Sequence, residues 1–312
     1  MSFRDNLLNL LRDENPNVVK ASLLSLGYLG EKINEKSIVP FLKHKIWQIR
    51  EATVKTIEML KLKDALPFLF QRLGIKKETG RKNILDLLSM KVAGAIKEEE
   101  DTKIETHPRV KKAIAHAIAN IDEDYLLKPL INSLKSENMN MVLAAINGLG
   151  NIGNELAVTP LMEFLNASDI KILRAVIVAL GKIKSEKPVE KLMELSTHKS
   201  EIIRKEVVIA LNHIKSPKGI DVFIRLIDDE SIEVRKTAVI ALGNTKDEKN
   251  LSTLLKKAKD NAWQVRKAVA SSLINYRTKE VLDTLIELIC DDNQEVKAEA
   301  SIVFNKIYPL VI

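Results

Sequence analysis

The chain has 312 residues, of which 46% are hydrophobic, 29% charged and only 4% aromatic. This composition excludes a disordered chain and favours helices built from Leu, Ile, Val, Ala and Lys over a β-sandwich. The formal net charge of +7 permits an acidic partner or a nucleic acid but requires neither.

The single cysteine excludes a disulfide within the chain. Cys290 follows Leu288 and Ile289 in an apolar stretch, so we predict a buried, inert thiol. The N-terminus carries no signal-peptide hydrophobic segment. Apolar runs such as Ala175 to Leu180 are far shorter than the roughly 18 residues of a membrane span. We therefore expect a cytoplasmic protein without a membrane partner.

A ten-residue segment, complete from Val234 to Gly243, recurs along the whole chain. Its intervals are 31 residues throughout, with a single interval of 30. The last position of the segment falls at Gly27, Glu58, Ser89, Ala119, Gly150, Gly181, Asn212, Gly243, Ile274 and Asn305. Self-similarity at this period is typical of helical repeat proteins.

Each copy of the segment predicts one helix. Its first position, the leading position, is apolar in most units, and apolar residues recur four and eight positions later, which places them on one helix face. The leading positions are Val18, Ile49, Gly80, Val110, Met141, Ile172, Ile203, Val234, Val265 and Val296. We call this helix the second helix of each unit.

A shorter first helix is predicted before each second helix. It is marked by apolar residues eleven positions after the end of the preceding segment: Ile38, Leu69, Leu130, Leu161, Leu192, Phe223, Leu254 and Leu285. Two such helices cannot cover their own apolar faces, so neighbouring units must stack. We predict an all-α, right-handed, armadillo-like α-solenoid of about ten units that spans 1–312 as a single domain. In the general solenoid pattern the second helices line the concave side.

The unit between Ser89 and Ala119 departs from the pattern. Its first helix, about 92–106, is predicted to be degenerate, because acidic residues occupy 98–101 where apolar ones are expected. The segment is either a frayed or looped-out surface helix, or a hinge or acidic docking element.

The pattern Val-Arg-x-x-Ala-x-x-Ala-Leu-Gly at Val234 to Gly243 resembles the short HEAT-like repeat of phycobilisome-lyase-type proteins. The resemblance covers essentially all of 1–312 and implies the α-solenoid fold. It is nearly silent on function, because such arrays serve scaffolds, adaptors, lyases and nucleic-acid binders.

Two basic columns are predicted from the stacking. The first column follows the leading positions: Arg50, Arg81, Lys111, Arg204, Arg235, Arg266 and Lys297. We expect it to pair with the loop carboxylates of Asp13, Asp229, Asp260 and Asp291 in a ladder between units. The second column lies one position later: Lys20, Lys82, Lys112, Arg174, Lys205, Lys236 and Lys267. It is predicted to point further toward solvent.

Apolar side chains lie one helical turn from the second column, at Val178, Ile209 and Ile240. With Arg174, Lys205, Lys236 and Lys267 they form either a groove for an acidic amphipathic peptide or ordinary packing against the neighbouring helix. Lys20, Lys82 and Lys112 could extend the contact region. Asparagines that could bond a peptide backbone, or end their own helices, recur at Asn120, Asn151, Asn244 and Asn275. Trp47 and Trp263 are interpreted as loop anchors.

No catalytic residue, metal site or cofactor is predicted. The five histidines are scattered and none precedes a glutamate, which disfavours the paired His-Glu motifs of two-iron HEAT-repeat hydroxylases. The leading hypothesis is a non-enzymatic scaffold or adaptor that binds an acidic amphipathic peptide or protein surface on the concave face. The alternatives are nucleic-acid binding through the basic columns, and a lyase or DNA-glycosylase-like enzyme.

The last residues, 304–312, are unusually apolar for a terminal unit. They indicate either self-association through the C-terminal unit or a natural chain that continues further.

Overall fold

The computed structural model describes residues 2–74, 104–122 and 125–310. Across these ranges every regular element is helical, with 17 α-helices joined by short 3₁₀ turns and no strand. The predicted all-α repeat fold is confirmed. Contacts divide the chain into two compact units, 1–157 and 158–312. The single domain over 1–312 stays a prediction.

The unit 1–157 contains seven of the described α-helices. In chain order they are α1 (Phe3–Leu10), α2 (Pro16–Leu29), α3 (Trp47–Met59), α4 (Leu66–Arg72), α5 (Pro108–Ile121), α6 (Leu127–Ser133) and α7 (Met139–Ile152). The predicted second helices are α2, α3, α5 and α7. Between α2 and α3 the first helix is replaced by 3₁₀ turns at Glu35–Ser37 and Val39–Lys43. Pro40 lies at the start of the latter turn, where its missing N–H is tolerated.

The unit 158–312 contains ten of the described α-helices. They are α8 (Val158–Met162), α9 (Ile170–Ile183), α10 (Val189–Glu194), α11 (Glu201–Ile214), α12 (Gly219–Leu226), α13 (Ile232–Asn244), α14 (Leu251–Lys256), α15 (Trp263–Ser272), α16 (Lys279–Ile289) and α17 (Gln294–Ile307). The second helices α9, α11, α13, α15 and α17 alternate with shorter first helices. We call the solvent-exposed side of these five second helices the second-helix face.

Successive second helices pack on one another in this unit: α9 on α11, α11 on α13, α13 on α15 and α15 on α17. The stripe predicted from the periodicity forms their contact. Ile203 and Val234 at leading positions, and Leu211 and Leu242 eight positions later, are fully buried. Burying each such side chain contributes about 1.5–3 kcal/mol. The core therefore runs from one helix pair to the next.

Small residues let these helices approach closely. A Cβ added to Gly181 would lie 2.8 Å from Cα of Ala210, and one added to Gly243 would lie 2.5 Å from Cβ of Ser272. In both pairs the glycine of one unit faces a small residue of the next unit. That small residue lies two positions before the one that corresponds to the glycine in the repeat. The Ala-Leu-Gly ending of the repeat is thus a packing requirement.

Two described second helices of the unit 1–157 are in contact although they are not consecutive in the repeat register. α3 packs directly against α5, although the register places one more copy of the segment, 80–89, between them in the chain. Residues 80–89, with Lys82, and the acidic stretch 98–101 lie outside the described residues, as does most of the degenerate segment 92–106.

Cys290 is exposed, so the prediction of a buried thiol is wrong. The periodicity of α16 buries Leu285 and Leu288, but the helix ends at Ile289. Cys290 is the C-cap residue and lies beyond the last buried turn.

Candidate interaction surface

The first basic column forms the predicted ladder in the unit 158–312. Arg204 binds Asp229 with Nε–Oδ2 and Nη2–Oδ1 distances of 2.7 and 2.8 Å. Arg235 binds Asp260 at 3.0 and 3.0 Å, and Arg266 binds Asp291 at 2.6 and 2.8 Å. Each pair is bidentate and links one unit to the next. The prediction is confirmed for these three arginines.

Each ladder arginine also ties down its own loop. Nη1 of Arg235 donates to the carbonyl oxygens of Asp229 and Glu230 at 2.9 and 3.1 Å. Oδ1 of Asp260 in turn accepts the backbone N–H of Ala262 at 2.9 Å. The hydrogen bond from Arg266, together with that from the Asn293 N–H, outweighs burial and lowers the pKa of Asp291 to about 2. The hydrogen bonds of these arginines therefore stabilise the fold.

The unit 1–157 modifies the ladder. Asp13 accepts the backbone N–H of Asn15 at 2.7 Å, and the described chain places no arginine opposite it. Arg50 instead binds Glu105, with Nε–Oε2 and Nη2–Oε1 distances of 2.7 and 2.8 Å. Nη2 of Arg72 reaches the same carboxylate at 2.9 Å. Arg81 lies outside the described residues.

The second basic column is less free than predicted. Arg174 binds the buried Glu206 at 2.9 Å. Lys236 binds Glu233 and Lys267 binds Glu295, each at 2.7 Å. Lys20 is exposed, whereas Lys112 and Lys205 are partly buried. Glutamates are therefore interleaved with the basic residues of the second column in the unit 158–312.

A groove of 510 Å³ lies between α13 and α15. We call it the α13–α15 groove. It brings together Lys236 and Lys267 of the second column and the recurring asparagines Asn244 and Asn275. It also contains Ile240, one of the three apolar residues Val178, Ile209 and Ile240 that we call the apolar strip. Three separate patterns of the sequence therefore meet in one concave site.

The apolar strip is only partly exposed. The exposed fraction of Ile240 is 42%, while Val178 and Ile209 are half-buried. Asn275 donates from Nδ2 to the carbonyl oxygen of Gly243 at 3.1 Å, across to the preceding unit. Asn244 is exposed at the end of α13. Ile240 is thus the most accessible residue of the apolar strip, and Asn244 the most accessible of the recurring asparagines.

A smaller cleft of 360 Å³ lies between α3 and α5 in the unit 1–157. Lys112 of the second column lines it together with Glu58 and His116. Burial raises the pKa of Glu58 against a hydrogen bond from Asn120, and burial with the nearby Lys112 charge lowers the pKa of His116. Mixed charges make this cleft a poor extension of a basic column.

A third basic column was missed from the sequence. Lys61, Lys184, Lys215 and Lys246 all lie twelve positions after a leading position and adopt left-handed backbone, with φ between 50° and 63°. Gly30 and Gly153 occupy the same register position with φ of 69° and 73°. Glycine is the residue expected at this position, because it commonly ends a helix in left-handed backbone. The lysines that stand in its place were the sequence signal for this column.

The two tryptophans both begin second helices. Trp47 stacks on His107 with ring centroids 4.2 Å apart, and the guanidinium of Arg109 lies 5.6 Å from its ring. Trp263 is about one-third exposed, at 36%. Trp47 therefore joins α3 to α5, as a loop anchor would.

Neither a metal-binding cluster nor a helix suited to span a membrane occurs among the described residues. No group of three or more His, Cys, Asp or Glu side chains there is arranged to hold a metal ion. None of the described helices combines the length and the apolar character that crossing a membrane requires.

Comparisons with solved structures give remote similarities. An engineered protein of known crystal structure is 16% identical over 99% of both chains, with a TM-score of 0.41. A designed armadillo repeat protein in complex with the peptide (KR)4 is 20% identical over 58% of this chain and 99% of its own, with a TM-score of 0.45. The Escherichia coli protein YibA is 17% identical over 90% of this chain and 96% of its own, with a TM-score of 0.45.

None of the curated proteins matches the chain. The family model described as HEAT repeats matches residues 4–88, 103–178, 158–231 and 220–304. These segments cover most of the chain and include eight of the nine described second helices in full and most of the ninth, α17. The chain therefore belongs to the HEAT-repeat family.

Proposed function

We propose that this protein is a non-catalytic scaffold or adaptor that binds an acidic amphipathic peptide or protein surface on the second-helix face of the unit 158–312. One observation carries the proposal. The α13–α15 groove combines two lysines, an exposed isoleucine and two asparagines in a cavity of 510 Å³. A peptide of alternating acidic and apolar character would find a complement for its charges, its apolar side chains and its backbone.

The ion pairs already present on this face do not prevent such binding. The side chains of Lys236 and Lys267 remain 32% and 37% exposed, and their partners Glu233 and Glu295 are 53% and 62% exposed. Exposed pairs of this kind contribute about 0–1 kcal/mol. A partner's carboxylates can therefore replace Glu233 and Glu295 at little cost.

The same glutamates disfavour the nucleic-acid alternative. A protein that tracks a phosphate backbone needs a continuous row of cations, since each neutralised phosphate adds to affinity. Here Glu206, Glu233 and Glu295 are interleaved with the second column. The lyase or glycosylase-like alternative gains no support at this groove, because its lining includes no carboxylate or histidine.

Fluorescence anisotropy tests the proposal. The probes are a labelled, end-blocked peptide of alternating Glu and Leu residues, the same peptide with Gln for Glu, and a labelled single-stranded DNA. We expect the acidic peptide to bind, and the variant Lys236→Gln/Lys267→Gln/Ile240→Ser to weaken it about tenfold or more. The variant Lys249→Gln/Lys256→Gln removes the same charge from exposed sites around α14 and should leave binding unchanged.

Salt dependence separates the two partner classes. Peptide binding with an apolar component should lose only part of its affinity between low and moderate salt, whereas phosphate binding should collapse. DNA that binds more tightly than the acidic peptide, with a steep salt dependence, would overturn the proposal. So would equal binding of the Glu and Gln peptides.

Self-association through the C-terminal unit also stays a proposal, as does the cytoplasmic location. Ile302 is 50% exposed and Tyr308 45% exposed at this end, and the Phe304 and Tyr308 rings stack with centroids 5.1 Å apart. Light scattering of the wild type beside Ile302→Lys tests it. A mass that falls on substitution is expected, and a monomeric wild type would contradict it.

A further inference from the structure

A second groove of 530 Å³ lies at the C-terminal ends of α9, α11 and α13. We call it the C-terminal-edge groove. Its apolar lining comes from Leu211, Pro217, Ile220 and Phe223. Its polar lining comes from Lys184, Asn212, His213, Lys215, Ser216, Asn244 and Thr245, with no carboxylate among these residues. An apolar floor with cations at the rim suits an anion that is attached to an apolar group.

Ser216 marks where that anion would sit. The residue is 4% exposed, it lines the groove, and its hydroxyl Oγ has no hydrogen-bond partner among the described residues. Buried hydroxyls are nearly always satisfied, since an unpaired one is costly. By contrast Ser185, at the same register position in the preceding unit, accepts the backbone N–H of Lys187 at 3.2 Å. The Ser216 hydroxyl is a donor without an acceptor.

The two groove lysines stand in unusual backbone. Lys184 and Lys215 are C-cap residues with φ of 63°, a conformation that side chains other than glycine rarely adopt. Both are exposed, and the described chain gives neither an ion-pair partner. A lysine near a helix C-terminus also complements the macrodipole, but that end carries only about half a negative charge. Each lysine therefore leaves the edge of the groove positive.

The two grooves share one residue, Asn244. A single extended peptide can thus pass from Lys236 and Ile240 across Asn244 to Lys184 and Lys215. Such a path would give the acidic partner a second, charge-complementary contact outside the columns predicted from the repeat.

We infer that the C-terminal-edge groove binds an acidic side chain of the partner peptide that lies next to a large apolar residue. Ser216 Oγ and the ammonium groups of Lys184 and Lys215 hold the carboxylate, and Phe223 with Ile220 receives the apolar side chain. This inference rests on the proposed function, because it assigns a second contact to the same acidic partner.

The test compares two variants with matched controls, each measured for binding of the labelled Glu/Leu peptide and for melting temperature. Lys184→Gly/Lys215→Gly removes both charges and relieves the left-handed backbone. The control Lys246→Gly removes one lysine charge and relieves the same backbone conformation outside the groove. We expect the double variant to bind about tenfold more weakly, with an unchanged or higher melting temperature. The control should bind like wild type.

Ser216→Ala separates a binding role from a structural one. We expect weaker peptide binding without a loss of melting temperature, because the hydroxyl has no partner to lose. Ser185→Ala should do the opposite, lowering the melting temperature and leaving binding unchanged. A Ser216→Ala protein that binds normally, or that melts earlier, overturns the inference.

The outcomes distinguish this inference from the proposed function. If the α13–α15 variant weakens binding but the Lys184/Lys215 variant does not, the groove assignment is wrong and the function stands. If wild type binds no acidic peptide, both fail. Equal affinity for peptides with free and amidated C-termini supports an internal acidic side chain, and a requirement for the free terminus contradicts it.

Discussion

The arginine that follows the leading position forms several hydrogen bonds at once in the unit 158–312. Arg204, Arg235 and Arg266 each bind one aspartate of the next unit in bidentate fashion and two carbonyl oxygens of their own loop. The aspartates are nearly buried, so these pairs are screened from solvent more than ordinary surface pairs are. Each rung therefore joins two units and shapes the loop between them.

The ladder predicts a pH dependence of stability. Burial raises the pKa of Asp229 and Asp260, but the hydrogen bonds from Arg204 and Arg235, those from the Ser231 and Ala262 N–H groups and the nearby positive charges together lower it by more. The pKa of Asp291 falls to about 2. Because the folded-state pKa values lie below the unfolded ones, this stability is present above about pH 5 and is lost as the pH falls toward 2. Asp291→Asn should lose roughly 2 kcal/mol at neutral pH. Urea unfolding across this pH range measures it.

The matched control is Asp283→Asn, an exposed carboxylate of α16. It should unfold like wild type at every pH. The Asp291→Asn protein should show a flatter decline below pH 5, because one of the ionised groups is gone. A decline as steep as that of wild type would contradict the assignment.

Pairs of second helices are the elements that carry the core, and their spacing depends on a glycine in one helix and a small residue in the next. Gly181 faces Ala210 and Gly243 faces Ser272, with no room for a methyl group in either case. Asn212 occupies the same register position in α11. The close approach is therefore made at some interfaces and not at others.

Adding one methyl group at these contacts should destabilise the unit 158–312. Gly243→Ala gains about 1 kcal/mol of helix propensity, but overpacking against backbone and Cβ atoms costs about 1–3 kcal/mol. We expect a net loss of about 1 kcal/mol, and a similar loss for Gly181→Ala. Asn212→Ala is the control and should change stability by less than about 0.5 kcal/mol. Denaturant midpoints report the difference, and a Gly243→Ala protein as stable as wild type would refute the packing argument.

At the scale of the whole molecule, α3 packs against α5 although another copy of the repeat segment lies between them in the sequence. Glu105 forms this junction with Arg50 and Arg72, and its side chain is fully buried. Burial raises its pKa, but the hydrogen bonds from Arg50, the His107 N–H and Arg72 together lower it by more. One carboxylate thus holds helices that lie far apart in the chain.

Glu105→Gln should therefore destabilise the unit 1–157 by about 3 kcal/mol, since it leaves two arginines without their buried anion. Hydrogen exchange should show the loss in α3 and α5. Glu51→Gln removes the partly buried i,i+4 partner of the exposed Lys55 and should change stability by less than about 0.5 kcal/mol. Unchanged protection of α3 and α5 in Glu105→Gln would show that the junction does not depend on this carboxylate.

Periodicity alone determined the second helices, their buried stripe and the rungs between Arg204, Arg235, Arg266 and their aspartates. This was possible because in a helical repeat the contacts of one unit fall at a constant distance along the chain, 25 residues for each rung. The candidate α13–α15 groove followed in part, since Lys236, Lys267 and Ile240 share the register that the repeat defines.

Tertiary structure alone decided the rest. It paired Arg50 with Glu105, 55 residues apart, because α3 packs against α5. It showed Cys290 to be exposed, the glutamates to be interleaved with the second column, and Ser216 to be buried without a partner. A repeating pattern specifies what adjacent units share, whereas helix ends, cavities and unpaired groups depend on how particular side chains pack together.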